Sequence, residues 1–428
     1  MNRLSRRQAL IRLAGAIAAA APMVGGCRGG SGAGGAEATL WFSYGGKNRE
    51  VLLSLIEQFH AEQREYRVVA TYQGDYFEAL AKLRTALAAG AAPTVTHVVG
   101  EVVPYLAEAG VLEPLDRFEG SQDLDLVPAL AQSGGFLGGG ARPLYALPFN
   151  RSTPIAYFNG TVLRELGLAP PRTWDELRAF ARAATRRGHG GAVDQWGYEC
   201  PVDWWFWVAL AGQAGGTVVE EDGTATLGGE GGVKAIELWQ TLVHQDRTMK
   251  PPPGRDYNAW QATNTDFLAG RAAMIWTSTA FLRYLEENAK FQVIAAPLPR
   301  DVRLAVPTGG TMFVMPRGGG DARATEAGFA FLRWMMQPAQ ANSWATRTGY
   351  MPVSRVGLAD LERTGYYAAH PNDRVAIDQL AHAMPWPWAT ELFRIQREAV
   401  QPRLEDAVLT PRDARETLES ARRAAREP

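Results

Sequence analysis

The sequence predicts an α/β fold of two lobes, each a mostly parallel sheet flanked by helices, and three observations lead to it. Short β-rich runs alternate with helical patterns from residue 38 onward. A second alternating series begins near residue 155, and no long linker separates it from the first. The sequence contains no internal repeat. The chain has 428 residues, which is long enough for two or three domains with cores of their own.

The first series has the order βαβαβ. Strand-like runs occupy 38–43, 66–72 and 94–99, and they are rich in β-branched and aromatic residues. Between them, 49–63 and 76–90 carry apolar residues on one helical face, and Gly90 is placed to end the second helix. This order is typical of a parallel sheet covered by helices.

The second series is less regular. PIAYFN at 154–159 predicts a strand, and the run from Thr173 to Glu176 predicts a capping box that opens a helix. Further helical patterns occur at 232–245, 323–337 and 411–425, the last with a capped start near Thr410. Strands such as LPFN and AMIWTS are candidates to cross between the units, which would make the lobes discontinuous in sequence.

The N-terminus has the pattern of a bacterial lipoprotein signal peptide over residues 1–27. A basic segment precedes an apolar stretch too short to span a bilayer, and the stretch ends in VGGC at Cys27, which resembles a lipobox. The segment from Ser5 to Leu10 resembles a twin-arginine export motif, with Ala9 where phenylalanine is usual; a plain basic segment is the alternative. Residues 28–37 are rich in glycine and predict a flexible tether.

Composition narrows the classes of function. The net charge is -1, and removing residues 1–26, which hold four arginines and no acid, takes it to -5. A nucleic-acid partner is therefore not expected. The two cysteines, Cys27 and Cys200, form no CxxC and no HExxH occurs, so neither a metal nor another cofactor is expected. Cys200 is predicted to be a small buried residue.

Several motifs follow one another in a characteristic order between residues 38 and 420. They are Tyr72-Gln73-Gly74-Asp75-Tyr76, LPFNRSTP at 147–154, YFN at 157–159, TWDEL at 173–177, FLAGRAAM at 267–274, Gly309-Gly310, and RTGYMPV at 347–353. Their order and spacing resemble the extracytoplasmic solute-binding proteins of ABC importers in the carbohydrate-type group. Within that group the resemblance is closest to binders of glycerol-3-phosphate and glycerophosphodiesters. The element FN-x-STP is the motif that narrows the resemblance to these binders.

The resemblance implies the periplasmic-binding-protein fold, in which two lobes close over a cleft around a hinge. The boundaries we expect are 38–150 with 275–320 for lobe 1, and 151–274 with 321–428 for lobe 2. The implied function is capture of a phosphoglycerol and its delivery to a membrane permease, by a monomer anchored outside the cytoplasm through lipid on Cys27. A neutral sugar, oligosaccharide or polyol is the alternative ligand.

An enzyme is the less favoured class. A glycosidase would need two carboxylates at a fixed separation across a cleft. Neither a nucleophile elbow nor a phosphate loop accompanies the acids of this sequence.

The resemblance also implies ligand contacts for polar residues. Arg397 corresponds to an arginine on the ligand phosphate, and Glu101 to an acid that accepts hydrogen bonds from glycerol hydroxyls, although an ungapped alignment places Gly100 at that position instead. The other implied contacts are the hydroxyls of Ser152, Ser278 and Thr279, the backbone at Gly309 and Gly310, and the side chains of Tyr72 and Tyr350. For each, an ordinary structural role is the alternative: a solvated arginine, a tight turn, a loop hydroxyl or a core tyrosine.

The stretch DWWFW at 203–207 is the remaining candidate. The family places two tryptophans, three residues apart, against the glycerol part of its ligand, and Trp204 and Trp207 have that spacing if two residues are inserted before them. On a helix the two indoles would share a face. The sequence therefore favours a ligand wall, with a purely apolar core as the alternative.

Overall fold

The computed structural model describes residues 35–132, 142–253 and 256–427, and within them two five-stranded sheets form the framework. In chain order the strands are β1 Ala36–Phe42, β2 Tyr66–Tyr72, β3 Val95–Val99, β4 Ala146–Ser152, β5 Pro154–Asn159, β6 Arg186–Arg187, β7 Val193–Gln195, β8 Tyr198–Glu199, β9 Met249–Lys250, β10 Met274–Ser278, β11 Val293–Ala296, β12 Val306–Pro307, β13 Gly309–Val314 and β14 Ala383–Met384.

Helices cover both sheets. They are α1 Gly46–Glu62, α2 Tyr76–Ala89, α3 Val103–Glu108, α4 Pro128–Ala131, α5 Gly160–Leu166, α6 Trp174–Ala184, α7 Trp204–Gln213, α8 Gly229–Gln240, α9 Asp256–Leu268, α10 Leu282–Asn288, α11 Ala322–Met335, α12 Pro338–Thr348, α13 Arg355–Arg363, α14 Tyr366–Ala369, α15 Pro371–Gln379, α16 Leu392–Arg394, α17 Gln401–Leu409 and α18 Ala414–Arg426. Short 3₁₀ turns occupy Gly100–Val102 and Thr279–Phe281, and π-helical turns occupy Thr241–Gln245 and Ile395–Val400.

The first sheet has the strand order β2-β1-β3-β13-β4. Strands β1, β2 and β3 run parallel, as the βαβαβ pattern predicts, whereas β13 runs antiparallel to both of its neighbours. The second sheet has the order β11-β5-β10-β8-β9 and is also mixed, because β5 is antiparallel to β10 and β11. Each sheet therefore takes strands from distant parts of the chain.

Local capping explains where the first helices begin and end. Asp75 accepts hydrogen bonds from the backbone of Phe77 and Glu78, and the Glu78 carboxylate returns to the Asp75 backbone, so a capping box opens α2. Gly90 ends the helix with a positive φ of 67°, where an L side chain would be strained.

Two later helix starts differ in detail from the sequence prediction. Thr173 caps α6 as expected, but the Glu176 carboxylate accepts from the backbone of Arg172 rather than from that of Thr173. Helix α18 begins at Ala414, and its cap is Asp413, the last residue of the predicted capped start from Thr410 to Asp413, because the Asp413 carboxylate accepts from the Glu416 backbone N–H.

Strand pairing and apolar packing correct the expected lobe boundaries. Strands β10 and β11 pair with β5 in the second sheet, although 275–320 was expected in lobe 1. Helices α11 and α12 place Phe331 and Trp344 in the core of the first sheet, although 321–428 was expected in lobe 2. From α17 onward the chain does pack on the second sheet, through residues such as Leu404 and Leu418.

Cys200 is fully buried in the core beside the second sheet, where its thiol donates to the Pro201 carbonyl oxygen at 3.3 Å. Burial raises the pKa of this thiol well above its usual range, which suits an unreactive core residue. Residues 1–34, including Cys27 and most of the tether, lie outside the described residues. Across the described ranges, no helix has both the length and the apolar content required to cross a bilayer.

Candidate functional site

The candidate site lies where the described chain passes between the two sheets. Strand β4 ends at Ser152 in the first sheet and β5 begins at Pro154 in the second. The chain returns between β11 and β13, and it crosses again between α12, packed on α1, and α15, packed on β11. The hinge is thus crossed more than once, as expected.

Glu101 occupies the 3₁₀ turn that directly follows β3, and its side chain is only 7% exposed. Burial raises the pKa of its carboxyl to about 7; Arg151 opposes the rise, and the charge of Asp203 adds to it. Asp203 caps α7, which packs in the core of the second sheet. Asp203, which belongs to the second lobe, is therefore near enough to Glu101 of the first lobe to affect its pKa.

Arg151 is the variable residue of FN-x-STP, and it is 1% exposed. Its guanidinium donates to the Gly310 carbonyl oxygen at 3.2 Å and to Thr308 Oγ1 at 3.0 Å. Burial lowers its pKa to about 10, while the charge of Glu101 acts in the opposite direction. Sequence reasoning used Arg151 only as part of the motif FN-x-STP. In the structure Arg151 is the buried positive charge that favours the ionised form of Glu101.

Arg397 lies in the π-helical turn Ile395–Val400, and its guanidinium carbon is 4.1 Å from the ring centroid of Phe77. Phe77 belongs to α2, beside the first sheet, and its ring also contacts Phe393 at 6.1 Å. Helix α16, one turn before Arg397, packs against the 3₁₀ turn that carries Glu101. The segment that carries Arg397 therefore approaches the turn that carries Glu101, although the two residues belong to different lobes. π-Helical turns recur at functional sites in other proteins.

The stretch DWWFW divides between core and site. Trp207 is fully buried, and its indole N–H donates to the Gly232 carbonyl oxygen at 3.1 Å, so it belongs to the core rather than to a ligand wall. Trp205 packs against the backbone of Gly309, where an added Cβ would lie 2.5 Å from the ring. Trp204 is half-buried and contacts Trp386 edge-on at 5.8 Å. Trp205 is therefore the tryptophan that contacts the first lobe, with Trp204 beside it, because α7 begins directly after its cap Asp203 and turns Trp207 inward.

A row of aromatic rings extends the wall that Trp205 begins. Both Trp205 and Trp386 donate from their indole nitrogens to the Thr308 carbonyl oxygen, at 3.4 and 2.8 Å. From Trp205 the row continues through Trp260 and Phe281, with ring centroids 5.6 and 6.3 Å apart. Sequence reasoning missed Trp260 and Trp386, since neither lies in a motif and both are far from DWWFW in the chain.

The two glycines serve backbone packing. Gly310 has a positive φ of 89°, and a Cβ there would lie 1.9 Å from the Asn150 carbonyl oxygen. Gly309 pairs with Ser152 between β13 and β4 while Trp205 covers its face. Close approach of backbone and ring thus explains this pair of glycines.

The remaining candidates lie in different surroundings. Tyr72 ends β2 and is 48% exposed, with the Phe42 ring 5.7 Å away. Ser278 caps the Ala280 N–H at 3.2 Å, and Ser152 is buried in the first sheet. Thr279 is buried at the hinge, where it lines a small cavity of about 10 Å³ together with Tyr350.

Among the described residues, no group of three His, Cys, Asp or Glu side chains is placed to hold a metal ion. The candidate site is instead polar and aromatic, and it combines Glu101, Arg151, Asp203, Arg397 and indole rings from two α/β lobes. This architecture defines a two-lobed ligand-binding protein.

The chain belongs to the bacterial extracellular solute-binding protein family, whose model matches residues 54–364. It is thus a solute-binding protein of the ABC importer type, a class that binds substrates for transport and is not enzymatic in itself. Relatives include the sn-glycerol-3-phosphate-binding periplasmic protein UgpB of Pectobacterium atrosepticum, 25% identical over 98% of this chain and 96% of the relative. The protein of the same name from Yersinia pseudotuberculosis is 25% identical over 83% of each chain.

Solved structures share the fold. UgpB from Mycobacterium tuberculosis, in complex with glycerophosphocholine, superposes with a TM-score of 0.78 at 24% identity over 92% of this chain and 98% of that one. The cyclic alpha-maltosyl-1,6-maltose binding protein from Arthrobacter globiformis gives a TM-score of 0.72 at 21% identity over the same shares. The GacH receptor of Streptomyces glaucescens, solved unliganded and with acarbose, gives 0.78 at 20% identity, again over 92% and 98%.

Proposed function

We propose that this protein captures a phosphoglycerol, either sn-glycerol 3-phosphate or a glycerophosphodiester, and delivers it to an ABC permease. The observation that carries the proposal is Arg397, held at 4.1 Å over the ring of Phe77 at the border of the gap. Relatives at 25% identity that are named for binding sn-glycerol 3-phosphate support it.

The contact with Phe77 suits Arg397 to a phosphate. The guanidinium carbon lies over the Phe77 ring, and a guanidinium donates hydrogen bonds within its own plane. That planar fork matches two oxygens of a phosphate, and it keeps its charge when water is excluded. A lysine in the same place would offer a point charge without the fork.

Glu101 suits the glycerol end of the ligand. A carboxylate accepts hydrogen bonds from hydroxyl groups, and the buried position of Glu101 makes each such bond stronger than it would be in water. The rings of Trp204 and Trp205 supply apolar faces on which C–H groups of a polyol pack. A ligand with hydroxyls at one end and phosphate at the other matches this pattern.

Binding would proceed by closure. Phe77 and Glu101 come from the lobe of the first sheet, whereas Asp203, Trp205 and Arg397 come from the lobe of the second. A ligand that contacts both sets binds the closed form more tightly and shifts the population toward it. The permease then recognises the closed form.

A neutral oligosaccharide is the second candidate, and the aromatic row favours it. Trp205, Trp260 and Phe281 form a row of contacting rings that is longer than a glycerol moiety requires. Such a surface suits the apolar faces of several sugar rings. The structural relatives named for binding maltose-type ligands and acarbose agree with that alternative at the level of the fold.

The decisive experiment is isothermal titration calorimetry on the body lacking residues 1–27. The ligands are sn-glycerol 3-phosphate, glycerophosphocholine and maltotriose, and the proteins are wild type, Arg397→Ala and Arg394→Ala. Arg394 is a matched control, because it lies one turn earlier and bonds to Glu391 and to the Ala425 carbonyl oxygen.

The proposal predicts that wild type binds a phosphoglycerol and that Arg397→Ala weakens this binding roughly 10- to 100-fold, as expected for a hydrogen bond to a charged group. The control should bind like wild type. Binding of maltotriose alone, or equal affinity in Arg397→Ala, would overturn the phosphoglycerol assignment.

We also propose lipid anchoring through Cys27, which lies outside the described residues. The support is the VGGC sequence that ends the apolar stretch. Export by the twin-arginine route and a monomeric state remain predictions from sequence. Metabolic labelling with a palmitate analogue tests the anchor, since Cys27→Ala should abolish label incorporation and leave the protein unprocessed.

A further inference from the structure

Arg151 contacts all three crossings between the lobes. It directly precedes Ser152, where β4 ends and the first crossing begins. Its guanidinium donates to Thr308 Oγ1 at 3.0 Å and to the Gly310 carbonyl oxygen at 3.2 Å, at the end of the second crossing. Its own carbonyl oxygen accepts from the Met351 backbone N–H at 3.0 Å, where the third crossing begins after α12. One buried residue therefore joins the three segments that form the hinge.

Thr308 connects Arg151 to the second lobe. Its hydroxyl accepts from Arg151, and its carbonyl oxygen accepts from the indole N–H groups of Trp205 and Trp386, at 3.4 and 2.8 Å. Both indoles pack on the core of the second lobe, and Thr308 itself is only 2% exposed. The position of Thr308 therefore sets how these indoles meet the first sheet.

Sheet register places Arg151 beside the turn that carries Glu101. Gly310 pairs with Arg151 on β4, and the next residue, Thr311, pairs with Val99 on β3. Glu101 follows Val99 by two residues, in the 3₁₀ turn. In agreement with this placement, the charge of Arg151 opposes the effect of burial on the pKa of Glu101, and the carboxylate opposes the effect of burial on the pKa of Arg151.

The stability of the fold does not account for a charge at position 151. Taking a guanidinium out of water is costly, and apolar residues in place of a buried ion pair often leave a protein equally stable or more stable. Arg151 is nevertheless fully buried in the first sheet. Its charge must therefore contribute something other than stability, and the charged group on which it acts is Glu101.

Other charged groups lie on the elements that pack near the turn of Glu101. Asp203 caps α7, and its charge raises the pKa of Glu101. Helix α16, the π-helical turn after it and α3 also carry charged side chains: Arg394, Arg397 and Glu108. Arg151 is the cation whose charge lowers the pKa of Glu101. Its removal would leave burial and Asp203 to favour the protonated carboxyl.

We propose that Arg151 is a positioning residue for ligand binding, which fastens Thr308 and the third crossing to the end of β4 and keeps Glu101 available as the acceptor of a ligand hydroxyl. This inference rests on the proposed function for the identity of the ligand. Arg151 acts through Thr308 and Glu101 rather than by contact with the ligand. One side chain thus couples the hinge to the chemistry of the gap.

The first test is the pH dependence of Kd, measured by calorimetry. Glycerophosphocholine is the probe, because a phosphodiester keeps one negative charge between about pH 5 and 9, whereas a phosphate monoester titrates near pH 6. Wild type should bind more tightly as pH rises through about 7, where Glu101 ionises. Arg151→Gln should move this midpoint upward by about one pH unit and raise Kd at pH 7 roughly three- to tenfold. Arg151→Lys keeps the charge and should keep the midpoint of wild type.

The matched control for loss of a buried arginine is Arg283→Gln. The Arg283 side chain is 13% exposed, and its carboxylate partners are Asp373 and Glu286. This variant should lower the melting temperature without moving the pH midpoint of binding. A midpoint that moves equally in Arg283→Gln would show that loosened packing, not the charge at Arg151, changes the profile.

Thr308→Val tests the fastening by itself, because valine keeps the shape of threonine and removes the hydroxyl that accepts from Arg151. We expect Kd to rise about threefold or more at every pH, with the midpoint unchanged. Unchanged Kd in folded Thr308→Val would overturn the fastening. If Arg151→Gln does not fold, Thr308→Val and Arg151→Lys decide the question, and a shifted midpoint in Arg151→Lys would overturn the role of the charge.

A double-mutant cycle supplies a readout that needs no ligand. Urea unfolding is measured for wild type, Arg151→Gln, Glu101→Gln and the double variant at pH 8 and pH 5. At pH 8, Arg151→Gln should lower the urea midpoint more in wild type than in Glu101→Gln, because only wild type is left with an uncompensated buried carboxylate. At pH 5 the carboxyl is protonated, so this difference should largely disappear. Equal losses in both backgrounds at pH 8 would overturn the coupling.

The outcomes separate the role of Arg151 from the proposed function. If wild type binds neither glycerophosphocholine nor sn-glycerol 3-phosphate, the proposed function fails, and the pH profiles are measured with maltotriose while the cycle stands unchanged. If wild type binds glycerophosphocholine but folded Arg151→Gln shows the midpoint of wild type, the role of Arg151 is refuted and the function stands.

Discussion

Replacing Glu101 by Gln should stabilise the folded protein at pH 8 and leave its stability nearly unchanged at pH 4. Burial raises the pKa of the Glu101 carboxyl from 4.5 to about 7, so the native state binds this proton more tightly than the unfolded state does. Stability from such a group is fully present below the unfolded pKa and is lost as pH rises through the native one. Glutamine has nearly the same shape and never ionises.

The magnitude follows from the size of the shift. At about 1.36 kcal/mol per pKa unit, the ionised carboxylate costs the native state roughly 3 kcal/mol at pH 8. The same variant should lose affinity for glycerol-bearing ligands, because an amide accepts hydrogen bonds more weakly than a carboxylate. The Glu101 carboxylate would then contribute to ligand binding while lowering the stability of the folded protein at pH 8.

Urea unfolding at pH 4, 6 and 8, followed by circular dichroism, measures the difference between wild type and Glu101→Gln directly. Subtracting the two proteins cancels the other titrating groups, which are common to both. A gain of equal size at pH 4 and pH 8 would show that packing, not charge, distinguishes the two side chains. No gain at pH 8 would mean that Glu101 is solvated in solution.

Three further predictions concern packing and charge. Trp205→Ala should raise the Kd of the ligand about tenfold or more in calorimetry. Trp207→Ala should leave the Kd of the folded protein unchanged, because Trp207 lies in the core; its cost should be a loss of roughly 3–5 kcal/mol in the free energy of unfolding. Gly310→Ala should lower the melting temperature, because its Cβ would collide with the Asn150 carbonyl oxygen at a positive φ; an unchanged melting point would contradict that geometry. Glu199→Gln should stabilise the protein at pH 8 by more than Glu101→Gln does, because burial raises the pKa of Glu199 further, to about 9; a smaller gain in urea unfolding would contradict it.

Sequence reasoning succeeded where the determinants are local. The elements from β1 to β3 were predicted within a few residues, because apolar periodicity, the cap at Asp75 and the glycine at position 90 all act over one or two helical turns. The strand LPFN, predicted as a candidate to cross between the units, lies in β4, and the first crossing between the sheets follows at the end of this strand. Each of these signals can be read within about ten residues.

It failed where the determinants are distant in sequence. The lobe boundaries depended on the pairing of β10 and β11 with β5, which periodicity does not encode. The choice of Trp207 depended on the rotation of α7, which is set by where Asp203 begins the helix. Trp386 reaches the site from almost two hundred residues away, so that only the folded chain reveals it.

Strand β13 determines when the first sheet can be completed during synthesis. It lies between β3 and β4, and its residues are Gly309–Val314. A nascent chain that ends before Gly309 has β3 and β4 but not the strand that joins them, so the edges of both remain open to mispairing. The first sheet can be completed only after nearly three quarters of the polypeptide has left the ribosome. A chaperone or translocation machinery that binds the chain before then binds a chain whose first sheet is incomplete.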